Sequence, residues 1–109
     1  MPSRDASRQA AFRAMSCAYV VGHITVKDPE KWAEYRRLVP ATLVPWGGEL
    51  DFRGRQVAAL AGENRHPDIV VIRFPDLAAI NGWFDSPAYQ ALILLRLQAA
   101  EMDLLCYET

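Results

Sequence analysis

Cysteine and histidine are scarce in this chain, with two of each among 109 residues. Cys17 and Cys106 lack the short paired spacing of a zinc ligand set, so metal binding through thiolates is not expected. Charge of one sign is missing as well. Twelve Lys and Arg against thirteen Asp and Glu leave a formal net charge of -1, and no basic field exists to collect nucleic acid. No apolar run approaches the ~18–20 residues that span a bilayer, and no signal-peptide core precedes a small-residue cleavage site. The expectation is a cytoplasmic protein with no nucleic-acid or membrane partner, no metal and no cofactor. Gly47-Gly48 has neither the alternating glycine spacing nor the Lys-Ser/Thr of a phosphate cradle and reads as a turn.

What the chain does have is apolar residues, 51% of the total, which excludes the composition of a disordered protein. Its length suits one domain with a real core. Residues 1–16 stand apart, with Arg4, Arg8 and Arg13 against Asp5 alone, several alanines and no strand pattern. They read as an N-terminal arm, either a short helix with Phe12 and Met15 on one face or a disordered tail. The domain proper is then residues 17–109.

Ala18 to Val26 reads as a strand with unequal faces. Ala18, Val20, Gly22, Ile24 and Val26 are apolar and should meet helices, whereas Tyr19, Val21, His23 and Thr25 make a mixed face. Asp28-Pro29-Glu30 starts a helix, with an N-cap, a proline at the first helical position and an acid in the first turn. Trp32, Tyr35 and Val39 are its buried stripe. Pro40 is expected to end or kink it, and Pro45 to stop any continuation. Residues 49–53 and 56–60 read as two arms of a strand broken at Gly54, and 61–68 as a hairpin loop in which His66 is solvated.

Ile69 to Phe74 is the clearest strand. Asp76 then caps a helix through Phe84 that buries Leu77, Ile80, Trp83 and Phe84. Ser86 and Pro87 reopen a helix through about Ala100, and Met102 to Tyr107 close the domain as a strand. The order βαββαβ points to a ferredoxin-like α+β sandwich, an antiparallel sheet with its helices on one face. Nothing in the chain then covers the other face, which should carry Tyr19, Val21, His23 and Thr25 beside Ile69, Val71 and Arg73. A homodimer that packs two such faces across a two-fold, a dimeric α+β barrel, is expected. Cys17 and Cys106 would lie on neighbouring strands, but a reducing compartment argues against a disulfide.

Arg96 is the oddity of the last helix. At about 100° per residue, Tyr89, Leu92, Ile93, Leu95, Ala99 and Ala100 bracket it within the apolar arc. A guanidinium aimed into a core needs an anionic or hydrogen-bonding partner. Two partners stay open: a protein group (Asp51, Asp85, Glu101 or backbone carbonyls), or a ligand. Tyr89 lies two helical turns from Arg96 on the same face, so both could address one carboxylate or carbonyl. The candidate ligand site is therefore a cleft between helices and sheet, with Arg96, Tyr89 and Tyr35 as polar groups and Trp32 and Trp83 as walls. His23 is a weak candidate for a catalytic base, since imidazole titrates near neutrality, but no carboxylate at motif spacing orients it. Ser86 is explained as an N-cap.

Several of these segments together carry a family resemblance. Ala18-Tyr19, Asp28-Pro29, Trp32-Ala33-Glu34-Tyr35, Pro45-Trp46-Gly47-Gly48, the run from Trp83 to Gln90 and that from Arg96 to Ala100 resemble domain-of-unknown-function family 1330 (DUF1330). Trp46 stands where that family commonly has tyrosine. The resemblance implies membership of the dimeric α+β barrel superfamily, whose relatives include small monooxygenases, haem-degrading enzymes, muconolactone isomerases and dye-decolourising peroxidases. No established reaction comes with the family. No histidine falls in the second helix, where some haem-binding relatives place one. The reading is a protein that binds a small carboxylate- or carbonyl-bearing molecule. Its alternatives are a cofactor-independent monooxygenase or isomerase, by superfamily analogy alone, and a non-catalytic dimeric module.

Overall fold

In the computed structural model, which describes residues 17–109, β1 (Ala18–Val26) is an inner strand paired on both edges. It lies antiparallel between β3 (Asp68–Phe74) and β4 (Ala100–Glu108), and β2 (Glu49–Arg55) adds to β3, giving the sheet order β2-β3-β1-β4. This is the ferredoxin-like α+β fold anticipated from the element order. The N-terminal arm falls outside the described residues. Along β1 the side chains alternate as the sequence pattern requires: Ala18, Val20 and Ile24 are buried beneath the helices, while Tyr19, Val21 and His23 are half-buried on the other face.

Both helical entries are capped as expected. The Asp28 carboxylate accepts from the Glu30 and Lys31 amides, each at 3.1 Å, and starts α1 (Pro29–Leu43). Pro40 does not end this helix. The chain continues to Leu43, tightens into a 3-10 turn over Val44–Trp46, and escapes through Gly47 in the left-handed region at φ 69°. Trp46 then lies across α2 (Leu77–Asp85) where Gly82 has no side chain; a Cβ there would come within 2.6 Å of the indole. Asp76 caps α2 through the Ala79 amide at 2.8 Å. Leu77, expected in the core, is 39% exposed, and Ile80 and Trp83 are the residues that α2 buries fully.

The helix expected over 86–100 is two helices, α3 (Pro87–Gln90) and α4 (Ile93–Ala99). At the break the Leu92 amide reaches back three residues to the Tyr89 carbonyl at 2.8 Å, a 3-10 tightening that ends the α-helical ladder. The expected strand at 56–60 is also absent. Six of the seven residues of β3, Asp68 to Arg73, are already paired with β2, which ends at Arg55 opposite Asp68, the first residue of β3. Val57 and Leu60 are consequently 91% and 100% exposed. Irregularity falls at Asp51, between Leu50 and Phe52, rather than at Gly54.

His66 corrects the expectation of a solvated loop residue. It is 2% exposed, with Nδ1 at 2.8 Å from Thr25 Oγ1 and Nε2 at 3.1 Å from Asp103 Oδ2. The loop 61–67 therefore folds back onto one end of the open face, which the chain itself partly covers. Elsewhere that face presents Phe52, Leu105 and Tyr107, all largely exposed, with Arg73 paired to Glu49 at 2.9 Å. Cys17 and Cys106 are on adjacent strands but opposite faces. Cys17 exchanges hydrogen bonds with Thr109 whereas Cys106 stands opposite Val20, and no disulfide joins the two. Among the described residues no helix is long and apolar enough to cross a membrane.

Candidate functional site

Arg96 meets a phenol. Its Nη1 donates to the Tyr89 hydroxyl at 2.8 Å, and that hydroxyl lies 2.8 Å from the hydroxyl of Tyr35. Among the described residues Asp51 and Asp85 make no ion pair, and Glu101 pairs with Arg65 at 3.2 Å instead. The sequence brings these groups together by local rules. Ser86 Oγ accepts from the Tyr89 amide at 3.2 Å and donates to the Trp83 carbonyl at 2.6 Å, fixing the corner between α2 and α3. Gln90 Nε2 ties the same corner back to the Phe84 carbonyl at 2.6 Å. Tyr89 is thereby aimed inward at 0% exposure, and Tyr35 reaches it from α1 at 6%.

Proton accounting gives this chain a direction. A guanidinium has no acceptor, so Arg96 must donate and Tyr89 oxygen must accept. One hydroxyl proton of the two phenols is then left over. Either phenol can donate to the other. Tyr89 is fully enclosed whereas Tyr35 borders a crevice between α1 and the sheet, so donation from Tyr89 to Tyr35 is the arrangement that leaves the spare proton on the residue beside open space. Burial raises the Tyr35 pKa well above the ordinary phenol range, the adjacent Tyr89 adds to the rise, and the charges of Arg96 and Arg53 oppose it only in part. Tyr35 is therefore protonated at every physiological pH.

The walls are aromatic. Trp83 packs against Tyr89 with ring centroids 4.2 Å apart, and its indole N–H donates to Thr42 Oγ1 at 3.0 Å. Thr42 in turn donates to the Val39 carbonyl at 2.6 Å, which leaves Trp83 a satisfied core residue. Trp32 stacks on Tyr35 at 5.4 Å, with 22° between the rings, and stays half-buried. The crevice beside Tyr35 holds about 20 Å³, bounded by Trp32, Tyr35, Val39, Arg53, Val70, Ile72, Trp83, Met102 and Leu104. Trp32 and Arg53 also line an outer cavity of about 280 Å³ with Ile24, Arg36, Gly54, Asp68 and Ile69. Arg36 and Arg53 recur in a shallower groove of about 430 Å³ between α1 and β2.

The five residues read from the sequence as a ligand site, Arg96, Tyr89, Tyr35, Trp32 and Trp83, thus form one contiguous cluster. His23 does not join them: it lies on the opposite face of the sheet, with Nδ1 3.4 Å from Asn64 Nδ2. Arg36 and Arg53 were missed. The signal for Arg53 was available in principle, since helix-facing positions on β2 follow from pairing with β3, where Arg53 stands opposite the buried Val70. The bulge at Asp51 shifts that parity, and no sequence cue marks it.

Similarity to known proteins fits this architecture. The chain superposes on the crystal structure of a protein of unknown function, RPA0582, from Rhodopseudomonas palustris, with a TM-score of 0.74 and 18% identity, covering 94% of this chain and 92% of that one. A dimeric ferredoxin-like protein of unknown function from a Jannaschia species has a TM-score of 0.69 at 14% identity, covering 85% of this chain and 99% of that one. SnoaB, a cofactor-independent oxygenase from Streptomyces nogalater, has a TM-score of 0.58 at 14% identity, covering 86% and 92%. At these identities the likeness shows the fold alone. No curated protein matches the chain. The family model described as "Domain of unknown function (DUF1330)" does match, over residues 17–109, and the chain belongs to that family.

Proposed function

We propose that the protein binds a small molecule bearing a carbonyl or carboxylate oxygen in the cleft between its helices and sheet, with Tyr35 Oη as hydrogen-bond donor. The observation that carries this reading is the hydroxyl chain from Arg96 through Tyr89 to Tyr35, which ends at a residue bordering a crevice. Arg96 acts as a positioning residue through Tyr89. Its charge polarises the Tyr89 O–H and so favours donation from Tyr89 to Tyr35. The crevice alone is too small for more than a water, so the body of the ligand occupies the outer cavity and one oxygen reaches inward. That cavity is at the lower end of ligand-pocket sizes, which start near about 300 Å³. Around Tyr35 the described lining is apolar apart from Arg53, with no carboxylate or imidazole to serve as base. Binding and polarisation of an oxygen are supported by this lining; the one carboxylate lining the outer cavity is Asp68.

Tyr35→Phe tests the reading, because it removes the donor and keeps the ring. Titration of neutral 4-hydroxybenzamide, followed by quenching of Trp32 fluorescence, should show at least a tenfold loss of affinity, equivalent to about 1.4 kcal/mol. Equal affinity for both proteins rules the donor role out.

A homodimer through the open sheet face belongs to the same reading. Phe52, Leu105 and Tyr107 expose apolar surface there beside half-buried Tyr19 and Val21, and the hydrophobic effect favours removing it from water. The described polar members of the face are largely paired within the chain, as Arg73–Glu49 and His66–Asp103, which lowers the cost of burying them. The Jannaschia protein, of the same fold, is named as dimeric.

A further inference from the structure

We propose that Arg36 and Arg53 form an anion seat in the outer cavity, and that the ligand is a single-ring aromatic monocarboxylate carrying a second oxygen on the far side of its ring. The inference rests on the reading of the cleft as a ligand site and adds where the charged end of that ligand is held. Arg36 projects from α1 and Arg53 from β2, so two separate elements deliver guanidiniums to one cavity. Among the described residues neither makes an ion pair or a side-chain hydrogen bond. Two like charges delivered to one cavity repel each other. Both side chains are exposed; desolvation and then the neighbouring Arg36 lower the Arg53 pKa from its ordinary value.

Charge and shape narrow the ligand. Asp68 lines the same cavity and offsets one of the two cations, so one positive charge remains and a monoanion neutralises it. Guanidinium forks suit the two coplanar oxygens of a carboxylate. Trp32 lines this cavity and the inner crevice alike, and its half-buried indole offers a flat face to an aromatic ring. A ring seated there has its carboxylate at Arg36 and Arg53 and its opposite edge toward Tyr35, where a hydroxyl or carbonyl oxygen accepts the Tyr35 proton.

The test compares 4-hydroxybenzoate with its neutral isostere 4-hydroxybenzamide by isothermal titration against the wild-type chain and the variants Arg53→Gln, Arg36→Gln and Arg53→Lys. Unchanged thermal midpoints establish that each variant is folded. Expected are at least tenfold tighter binding of the acid than of the amide by the wild type, loss of that preference in Arg53→Gln and Arg36→Gln, and its partial return in Arg53→Lys. If acid and amide bind equally and both weaken in Tyr35→Phe, the cleft reading stands and the anion seat is overturned. If neither probe binds the wild type, both are overturned.

Discussion

Replacing Tyr89 by Phe removes one oxygen and with it the link between Arg96 and Tyr35. The ring remains, so packing against Trp83 and Phe84 is kept, and the cost is polar. Tyr35 Oη loses its described partner at a site only 6% exposed, while the half-buried Arg96 guanidinium can recover water. One enclosed hydroxyl left without a partner and one weakened charged bond cost about 2 kcal/mol together. Tyr35→Phe removes the terminal hydroxyl and leaves the enclosed Tyr89 proton without its acceptor while Tyr89 stays bonded to Arg96, so its cost is also about 2 kcal/mol. In a double-mutant cycle the two changes should fall short of additivity by about 1 kcal/mol, because the second deletion removes a group already orphaned by the first. Urea unfolding followed by tryptophan fluorescence measures all four proteins, at one fixed protein concentration because association would add to apparent stability. Strict additivity would refute the hydroxyl chain.

Four further outcomes are expected. A folded-state phenol pKa above its unfolded value of about 10 contributes stability that is complete below that pH and declines as pH rises past it; since burial raises Tyr35, stability should fall more steeply above about pH 10 in the wild type than in Tyr35→Phe, as urea midpoints will show. Gly82→Ala drives a methyl into the Trp46 indole, and should cost about 1–3 kcal/mol with a change in near-ultraviolet circular dichroism. His66→Ala leaves Thr25 and Asp103 without their bonds and should raise hydrogen exchange across residues 61–67, while exchange at the Tyr89 corner stays unchanged. Leu105→Glu puts a charge on the open sheet face and should shift sedimentation toward the monomer with the fold intact; an unchanged sedimentation coefficient corresponding to a dimer places the interface elsewhere.

Most of the fold was legible because local rules agreed with the global arrangement. Asp28-Pro29, Asp76 and Ser86-Pro87 specify helix starts through caps that work at short range, and the alternation in β1 survives pairing on both edges. The errors fall where a partner decides. Residues 56–60 alternate like a strand, yet β3 offers no further residues to pair with them. His66 looked like a loop residue because its partners, Thr25 and Asp103, come from strands distant in sequence. The helix over 86–100 breaks at Leu92 without a glycine or proline to mark it.

The candidate site divides in the same way. Arg96, Tyr89 and Tyr35 could be read as a group because two of them share a helix face and the third sits on the buried stripe of α1. The identity of the Arg96 partner could not. Carboxylates were the natural expectation for a buried guanidinium, whereas here a phenol takes that role and passes the donor on to Tyr35. Arg36 and Arg53 look like ordinary surface cations until α1 and β2 are brought together.

The central claim is that the proton left over by Arg96 and Tyr89 is presented by Tyr35 to a ligand oxygen. The most direct measurement is the affinity of 4-hydroxybenzamide, which carries no charge for the arginines, for the wild type and for Tyr35→Phe at a temperature well below both unfolding midpoints. A loss of tenfold or more in the variant is the result predicted; equal affinity contradicts the claim.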